Sequence, residues 1–302
     1  MDFTLSDEQK MLSESLSRYG AEADPKAAEA TFTALCEMGI FALMLPEEDG
    51  GLNGSAADRM VTAETLGRSL IGAPAMAQLL GAELLARAGR GAQAAAAAEG
   101  SLRVALSVLA SDPDPQRPLV LRGAGDGDLA LCITPGGVAL ADLKTLPEGA
   151  ERLPQIDGTR ALLLPQARAL TRETLSLDPQ EALCCLRLGF GAEVLGLMER
   201  LLSDTLDYVK TRRQFGTEIG RFQTIQHRMA RLYVGINQCR SALLAATLAR
   251  PDLSAGVWQM LVRQGRHTAH EAVQFHGGMG ITDELLVSSA HKRLIAVTAL
   301  PL

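Results

Sequence analysis

Asp178–Gly216 reads DPQEALCCLRLGFGAEVLGLMERLLSDTLDYVKTRRQFG. Within it Leu195, Met198, Leu202, Leu206 and Val209 recur at intervals of three and four residues, the repeat that gathers side chains on one face of an α-helix. Downstream, Ile225, Met229, Leu232, Ile236, Cys239 and Leu243 repeat the pattern. A helix from about Ser254 to Phe275 and a last one from Asp283 complete four, which predicts an antiparallel bundle. No internal repeat is visible.

The same period governs the opening third. Ser6 and Gln9 form a capping box ahead of Leu12, Leu16 and Tyr19, and a second helix over Ala27–Met38 ends at Gly39, where left-handed backbone is wanted. The run FALMLPEEDGGLNG then closes on a Pro and a Gly-Gly turn. Helices are expected over Ala56–Leu70 and Pro74–Ala88, and the alanine-rich Gln93–Glu99 reads as an exposed helix of high propensity. Between about Ser101 and Leu170 the pattern shortens to VALSVLA, LVLRG, LALCIT, GVALADL and ALLLP, broken by Pro, Gly and Asp. Five short strands are expected there, leaning on the helices around them. The expected fold is mainly α with a small β domain: an N-terminal helical domain (1–100), a reduced middle β domain (101–170) and a C-terminal four-helix bundle (171–302).

Composition sets the outer limits. The 302 residues are 47% hydrophobic and 21% charged, which excludes disordered and fibrous classes and suits one large unit or two to three smaller ones. Lys plus Arg (29) against Asp plus Glu (35) gives a net charge of −6, and aromatic residues make up only 4%. A mildly acidic chain without a basic cluster or stacking surface is not built for nucleic acid. No apolar run reaches eighteen residues, and the acidic, polar MDFTLSDEQK does not read as a signal peptide. Cys36, Cys132, Cys184, Cys185 and Cys239 form no CxxC pair and have no His companion at zinc spacing. They are expected to be reduced core thiols in a cytoplasmic protein without a metal.

Three motifs in the last third carry chemistry. In YVKTRRQFG (Tyr208–Gly216), two arginines followed by Gln, Phe and Gly suit an anionic group beside a flat apolar one; a basic helix end complementing the macrodipole is the alternative. In RFQTIQH (Arg221–His227), Gln223 opens a helix and can hydrogen-bond phosphate or a ring edge, or simply be a solvated or capping residue. In QFHGGMGITDE (Gln274–Glu284), Gly277, Gly278 and Gly280 let backbone N–H groups approach a phosphate; a plain helix–helix turn is the alternative. The glycines follow a helix, not a strand, so this is not a Rossmann fingerprint.

In this order and spacing the three motifs resemble the C-terminal domain of the acyl-CoA dehydrogenase family. TLSDEQKML, LCEMGIFALMLPEEDGG and AETLGRSL resemble its opening helices. The resemblance implies an α-helical domain, a small β domain and a four-helix bundle, with FAD held at a dimer interface. It implies that Arg212 and Phe215 meet the FAD of the neighbouring subunit and that Gln223 contacts it. It also implies that Gln274, Phe275, His276, Gly277 and Gly278 wrap the pyrophosphate and ribityl chain. Arg187 matches an arginine near the acyl-CoA site, an ordinary surface arginine being the alternative. The chemistry implied is α,β-dehydrogenation of an acyl-CoA thioester by a carboxylate base and a flavin hydride acceptor.

The sequence departs from this pattern in two places. The family's base downstream of the Gly-Gly loop aligns with Ala299–Leu302, where no glutamate stands. The other position falls in LARPDLSA, whose only carboxylate is Asp252; a helix stop or N-cap is its structural alternative. In the middle unit, SDPDPQRP follows VALSVLA where a flavin-ring loop is expected, while QIDGTRALLLP echoes the family's Asp-x-Thr-Arg strand. The leading reading is an FAD-dependent acyl-CoA dehydrogenase, a homo-oligomer or one subunit of a heteromer acting on bulky acyl-CoA esters such as steroid side chains. The alternative is a degenerate, non-catalytic subunit that supports a partner.

Overall fold

The computed structural model describes residues 5–24, 27–71, 74–109, 111, 114, 119–122, 128–144, 151–154, 156–157, 161–165, 170–282 and 284–302. Five helices come first: α1 (Asp7–Glu22), α2 (Ala28–Glu37), α3 (Ala56–Arg68), α4 (Ala75–Arg87) and α5 (Gly91–Glu99). The Ser6–Gln9 capping box forms as expected, and Ser55 with Asp58 makes a second at the start of α3. Leu16 of α1 is fully buried and Gly39 has φ of 71° after α2. The α5 helix corrects the exposed-helix expectation: Ala94, Ala97 and Ala98 are buried. Alanine there lets α5 lie close to α4, so the small side chain serves packing as well as propensity.

Seven strands follow, in the order β5-β6-β2-β1-β3-β4-β7. They are β1 (Val104–Val108), β2 (Leu121–Arg122), β3 (Leu129–Thr134), β4 (Gly137–Asp142), β5 (Glu151–Pro154), β6 (Ala161–Leu164) and β7 (Arg172–Leu175). Among the described residues only β1 and β3 pair in parallel, with Val104 opposite Leu129. The two strands beyond the expected five, β5 (ERLP) and β7 (RETL), are the two edges of the sheet. An edge strand faces solvent and tolerates charge and proline, so it lacks the apolar run by which the inner strands are recognised. Most of the SDPDPQRP stretch, Thr159 and Arg160 of the QIDGTR echo, and Asp283 lie outside the described residues.

The chain closes with α6 (Pro179–Thr211), the short hairpin β8 (Arg213–Gln214) and β9 (Thr217–Glu218), α7 (Gln223–Leu248), α8 (Ser254–His276) and α9 (Leu286–Thr298). Asp178 caps α6, accepting a hydrogen bond from the Gln180 N–H at 2.8 Å, with Pro179 at the first helical position. The expected apolar stripes are buried at Leu195, Met198, Leu202 and Val209 on α6 and from Met229 to Leu243 on α7. Among the described residues no helix is long and apolar enough to cross a membrane.

The α6 helix is the hub: it packs against α7, α8 and α9 of the bundle and against α3 of the opening third. Gly67 and Gly196 permit the α3–α6 crossing. A Cβ on Gly196 would lie 1.9 Å from the Glu64 carbonyl oxygen, and one on Gly67 would lie 2.3 Å from that of Glu193. Buried ion pairs fasten the remaining helices: Arg59 to Glu83 at 2.5 Å between α3 and α4, and Arg293 to Glu193 at 2.5 Å between α9 and α6. Arg240 of α7 forks onto Glu64 of α3 at 3.0 and 3.1 Å. Burial lifts the Glu64 carboxyl above its usual range, although the Arg240 fork pulls the other way.

Burial also pushes the Cys132 and Cys239 thiols to about 11 and the Cys185 thiol to about 12. All five cysteines are free.

Because the α3–α6 contact is backbone on backbone, Gly196→Ala is expected to destabilise the chain by about 1–3 kcal/mol or more through overpacking. Gly256→Ala, where an added Cβ meets nothing within 4 Å, is expected to be neutral or slightly stabilising. Urea denaturation midpoints of the two variants should move in these different directions.

Candidate functional site

The three motifs converge at the C-terminal end of α6. Its last turn carries Tyr208, and the helix stops at Arg212, whose backbone turns extended (φ −67°, ψ 123°). The Arg212 side chain is exposed and has no ion pair among the described residues. Strands β8 and β9 then form a hairpin around Phe215 and Gly216, both with positive φ (53° and 82°). Two consecutive positive values make a tight hairpin turn, and a bulky residue is rarely found in that region. The turn leaves Phe215 91% exposed, edge-on to Phe222 with ring centroids 6.2 Å apart.

Phe222 precedes α7, whose N-terminus has no side-chain cap. The N–H groups of Ile225 and Gln226 bond back to the Phe222 carbonyl oxygen at 2.9 and 3.1 Å, which leaves those of Gln223 and Thr224 at the positive end of the helix dipole. Gln223, the first residue of α7, is exposed beside them.

The third motif ends α8. Gln274 is exposed, whereas Phe275 and His276 are turned inward, 7% and 5% exposed. The Phe275 ring lies 4.5 Å beneath the Arg228 guanidinium of α7. The His276 ring stacks on Tyr208 at 4.2 Å, with its Nδ1 2.8 Å from the Ala272 carbonyl oxygen. Gly277 ends the helix with φ 61° and ψ −141°, and a Cβ on Gly277 or Gly278 would meet nothing within 4 Å. At Phe275 and His276 the side chains are therefore committed to packing, while the glycine backbone faces open space. Tyr208 joins this turn to Arg212: it stacks on one and sits a helical turn before the other. Its signal in the sequence is the four-residue spacing that sets it one turn before Arg212 at the end of α6.

Arg187 and Asp252 lie elsewhere. Arg187 is near the N-terminal end of α6, and its Nε is buried with no hydrogen-bond partner among the described residues. An unpaired buried donor on a cation is costly. One turn earlier, Cys184 Sγ lies 3.5 Å from the Pro251 carbonyl oxygen, so the turn carrying Asp252 packs beside this end of α6. Asp252 itself is exposed in a 3-10 turn, Pro251–Leu253, and paired with Arg250 at 2.8 and 3.0 Å. Hydrogen bonds from Arg250 hold its carboxyl below the ordinary value of 3.8. A general base working near neutral pH is raised by burial instead.

Arg187 and Arg212 stand 25 positions apart along α6 and its C-cap, about 37 Å at 1.5 Å per residue. No single dinucleotide spans that length. One bound dinucleotide therefore does not touch both Arg187 and Arg212.

A helical opening third, a small sheet and a C-terminal bundle with an anion-suited rim at the end of its first helix are the architecture of acyl-CoA dehydrogenases. The chain matches the N-terminal domain of that family over residues 6–102 and its C-terminal domain over residues 179–299. It is 33% identical to the acyl-CoA dehydrogenase IpdE2 of Mycobacterium tuberculosis, over 93% of this chain and 89% of that protein. The chain belongs to the acyl-CoA dehydrogenase family, whose members bind FAD.

Two solved structures share the fold at 22% identity. One is a variant of the Tcur3481-Tcur3483 steroid ACAD (TM-score 0.82, covering 98% of this chain and 94% of that one). The other is the ChsE4-ChsE5 complex from Mycobacterium tuberculosis (TM-score 0.81, covering 98% and 95%).

Since the Arg250 pair depresses the Asp252 pKa, that ion pair should be intact above pH 3.8 and be lost only as the pH falls through the lowered value. Carboxyl carbon NMR titration should place the Asp252 midpoint below 3.8, and Arg250→Ala should return it upward.

Proposed function

We propose that this chain is one subunit of a heteromeric, FAD-dependent acyl-CoA dehydrogenase, working on bulky acyl-CoA esters such as those of steroid side chains. The observation that carries the reading is the separation of the two ends of α6, each incomplete in a different way. At one end Arg212 and the glycine turn stand open. At the other the Arg187 Nε is buried without a partner.

The open rim fits FAD. A pyrophosphate needs a guanidinium and several N–H donors; Arg212, the uncapped start of α7 and the turn at Gly278 offer both, the Gly277 N–H being taken by the Val273 carbonyl oxygen. Gln223 and Gln274 offer side-chain amides beside them, and Phe215 presents an apolar face. Phe275 and His276 contribute through their backbone, because their rings are packed inward. In this reading the group clasped at the rim extends onto a neighbouring subunit. Arg187 meets the cofactor or acyl-CoA of the other site.

FAD held there would supply a hydride acceptor for the β-hydrogen of the acyl chain, and a carboxylate would take the α-proton as the Cα–Cβ double bond forms. Four carboxylates of this chain are poor candidates for that base. Asp252 is exposed and paired with Arg250, Glu193 with Arg293, Glu199 with Arg240 and Glu271 with Arg228. The base therefore comes from the partner subunit. We also propose that the chain is organised as three units, 1–100, 101–170 and 171–302.

Absorption spectra of the purified chain test this directly. The chain alone is expected to be colourless and to turn yellow when co-expressed with a related subunit encoded beside it. Absence of flavin in both preparations overturns the proposal in favour of a non-catalytic scaffold. In the yellow complex, Arg212→Ala should weaken FAD retention by about tenfold or more through loss of a charge-assisted contact. Asp252→Asn should leave acyl-CoA turnover near wild type; loss of turnover would instead put the base in this chain.

A further inference from the structure

Arg228 and Glu271 face each other across α7 and α8. The Arg228 Nε donates to one Glu271 carboxylate oxygen at 2.7 Å, and Nη2 donates to the other at 2.8 Å. The same guanidinium lies over the Phe275 ring, 4.5 Å from its centroid. Glu271 and Phe275 are one helical turn apart, so a single side chain grips the final turn of α8 at two points, with its edge on the carboxylate and its face on the ring. Only a planar, forked cation does both at once; a lysine ammonium does not.

The end of α8 needs such a grip. The α-helix gives way at Gly277, whose φ is 61° and whose N–H closes the last turn onto the Val273 carbonyl oxygen, and the chain continues as a 3-10 turn over Gly277–Gly280, exposed up to Met279. A helix end without such restraint frays. Tyr208 supports the turn from α6 by stacking on His276, and Arg228 supports it from α7. Arg228 is also five residues from Gln223, so it couples the first turns of α7 to the last turn of α8.

We propose that Arg228, held by Glu271, is a positioning residue for the FAD site. It sets the spacing between the N-terminal donors of α7 and the glycine turn without touching the cofactor itself. This rests on the flavin reading above. The hydrogen bonds from Arg228 also keep the Glu271 carboxyl below its ordinary 4.5, so the fork is ionised on both sides at neutral pH.

The test uses the co-expressed complex, with FAD dissociation constants from flavin fluorescence and thermal midpoints measured in parallel. Arg228→Ala and Glu271→Ala should each weaken FAD binding by about tenfold at a temperature well below unfolding. The resolved shoulder of the bound flavin's visible band should blur in both. Arg228→Lys should fail to restore either property. The Glu271 variant is the decisive one, because it leaves the Arg228 charge in place. If Arg228 acted as a direct phosphate ligand, Glu271→Ala would leave affinity unchanged or raise it, and Arg228→Lys would rescue; either result overturns the proposal. So does a drop in thermal midpoint with FAD affinity intact. Arg212→Ala separates the two levels. Weakened FAD there with no effect at Arg228 and Glu271 removes only the positioning role. A wild-type complex that binds no FAD removes the flavin reading as well.

Discussion

The crossing of α6 over α3, backbone against backbone at Gly67 and Gly196, is the constraint on which the other features depend. It draws a 33-residue helix into the middle of the molecule, with α3 on one side and the bundle helices on the others. A helix so enclosed is straight-walled scaffolding, and its length separates whatever stands at its two ends. Arg187 and Arg212 are held apart by that length. The proposal of a partner subunit starts from that spacing.

Polar groups inside the protein divide into those that hold helices together and those that await something. Arg59 with Glu83 and Arg293 with Glu193 are nearly or fully buried and joined to each other; Arg240 with Glu64 ties α7 to α3. Such pairs add little net energy over apolar packing, but a partner left alone in the interior is strongly destabilising, so each pins one arrangement of helices. The buried Nε of Arg187 has no such partner among the described residues, and Arg212 is exposed at the opposite end. The same accounting separates Asp252, whose carboxylate is satisfied at the surface by Arg250, from a group prepared for proton transfer.

Helix and inner-strand positions were legible because their burial follows a period. Leu195, Met198, Leu202 and Val209 recur as a helix face requires, and β1 and β3 read as short apolar runs. Strands β5 and β7 were not legible, since ERLP and RETL sit at the sheet's edges and need no apolar pattern. The burial of α5 was hidden for a related reason: alanine is equally at home in an exposed helix and in a close helix–helix contact. At the candidate site the motifs announced which segments matter but not which atoms they offer. Phe275 and His276 turn inward beneath Arg228 and Tyr208, a decision made by residues 47 and 68 positions away in the chain.

By itself, then, the sequence determined the class of fold, the amphipathic helices and the family to which the chain belongs, because periodicity and motif spacing are properties of neighbouring residues. Tertiary structure alone decided that α6 is enclosed on several sides and that Asp252 is neutralised by Arg250. It alone left Arg187 with an unmatched donor, and it turned the glycine segment so that backbone, not side chain, faces open space. Those outcomes depend on distances between residues far apart in the chain, which hydrophobic patterning does not encode until the helices are packed.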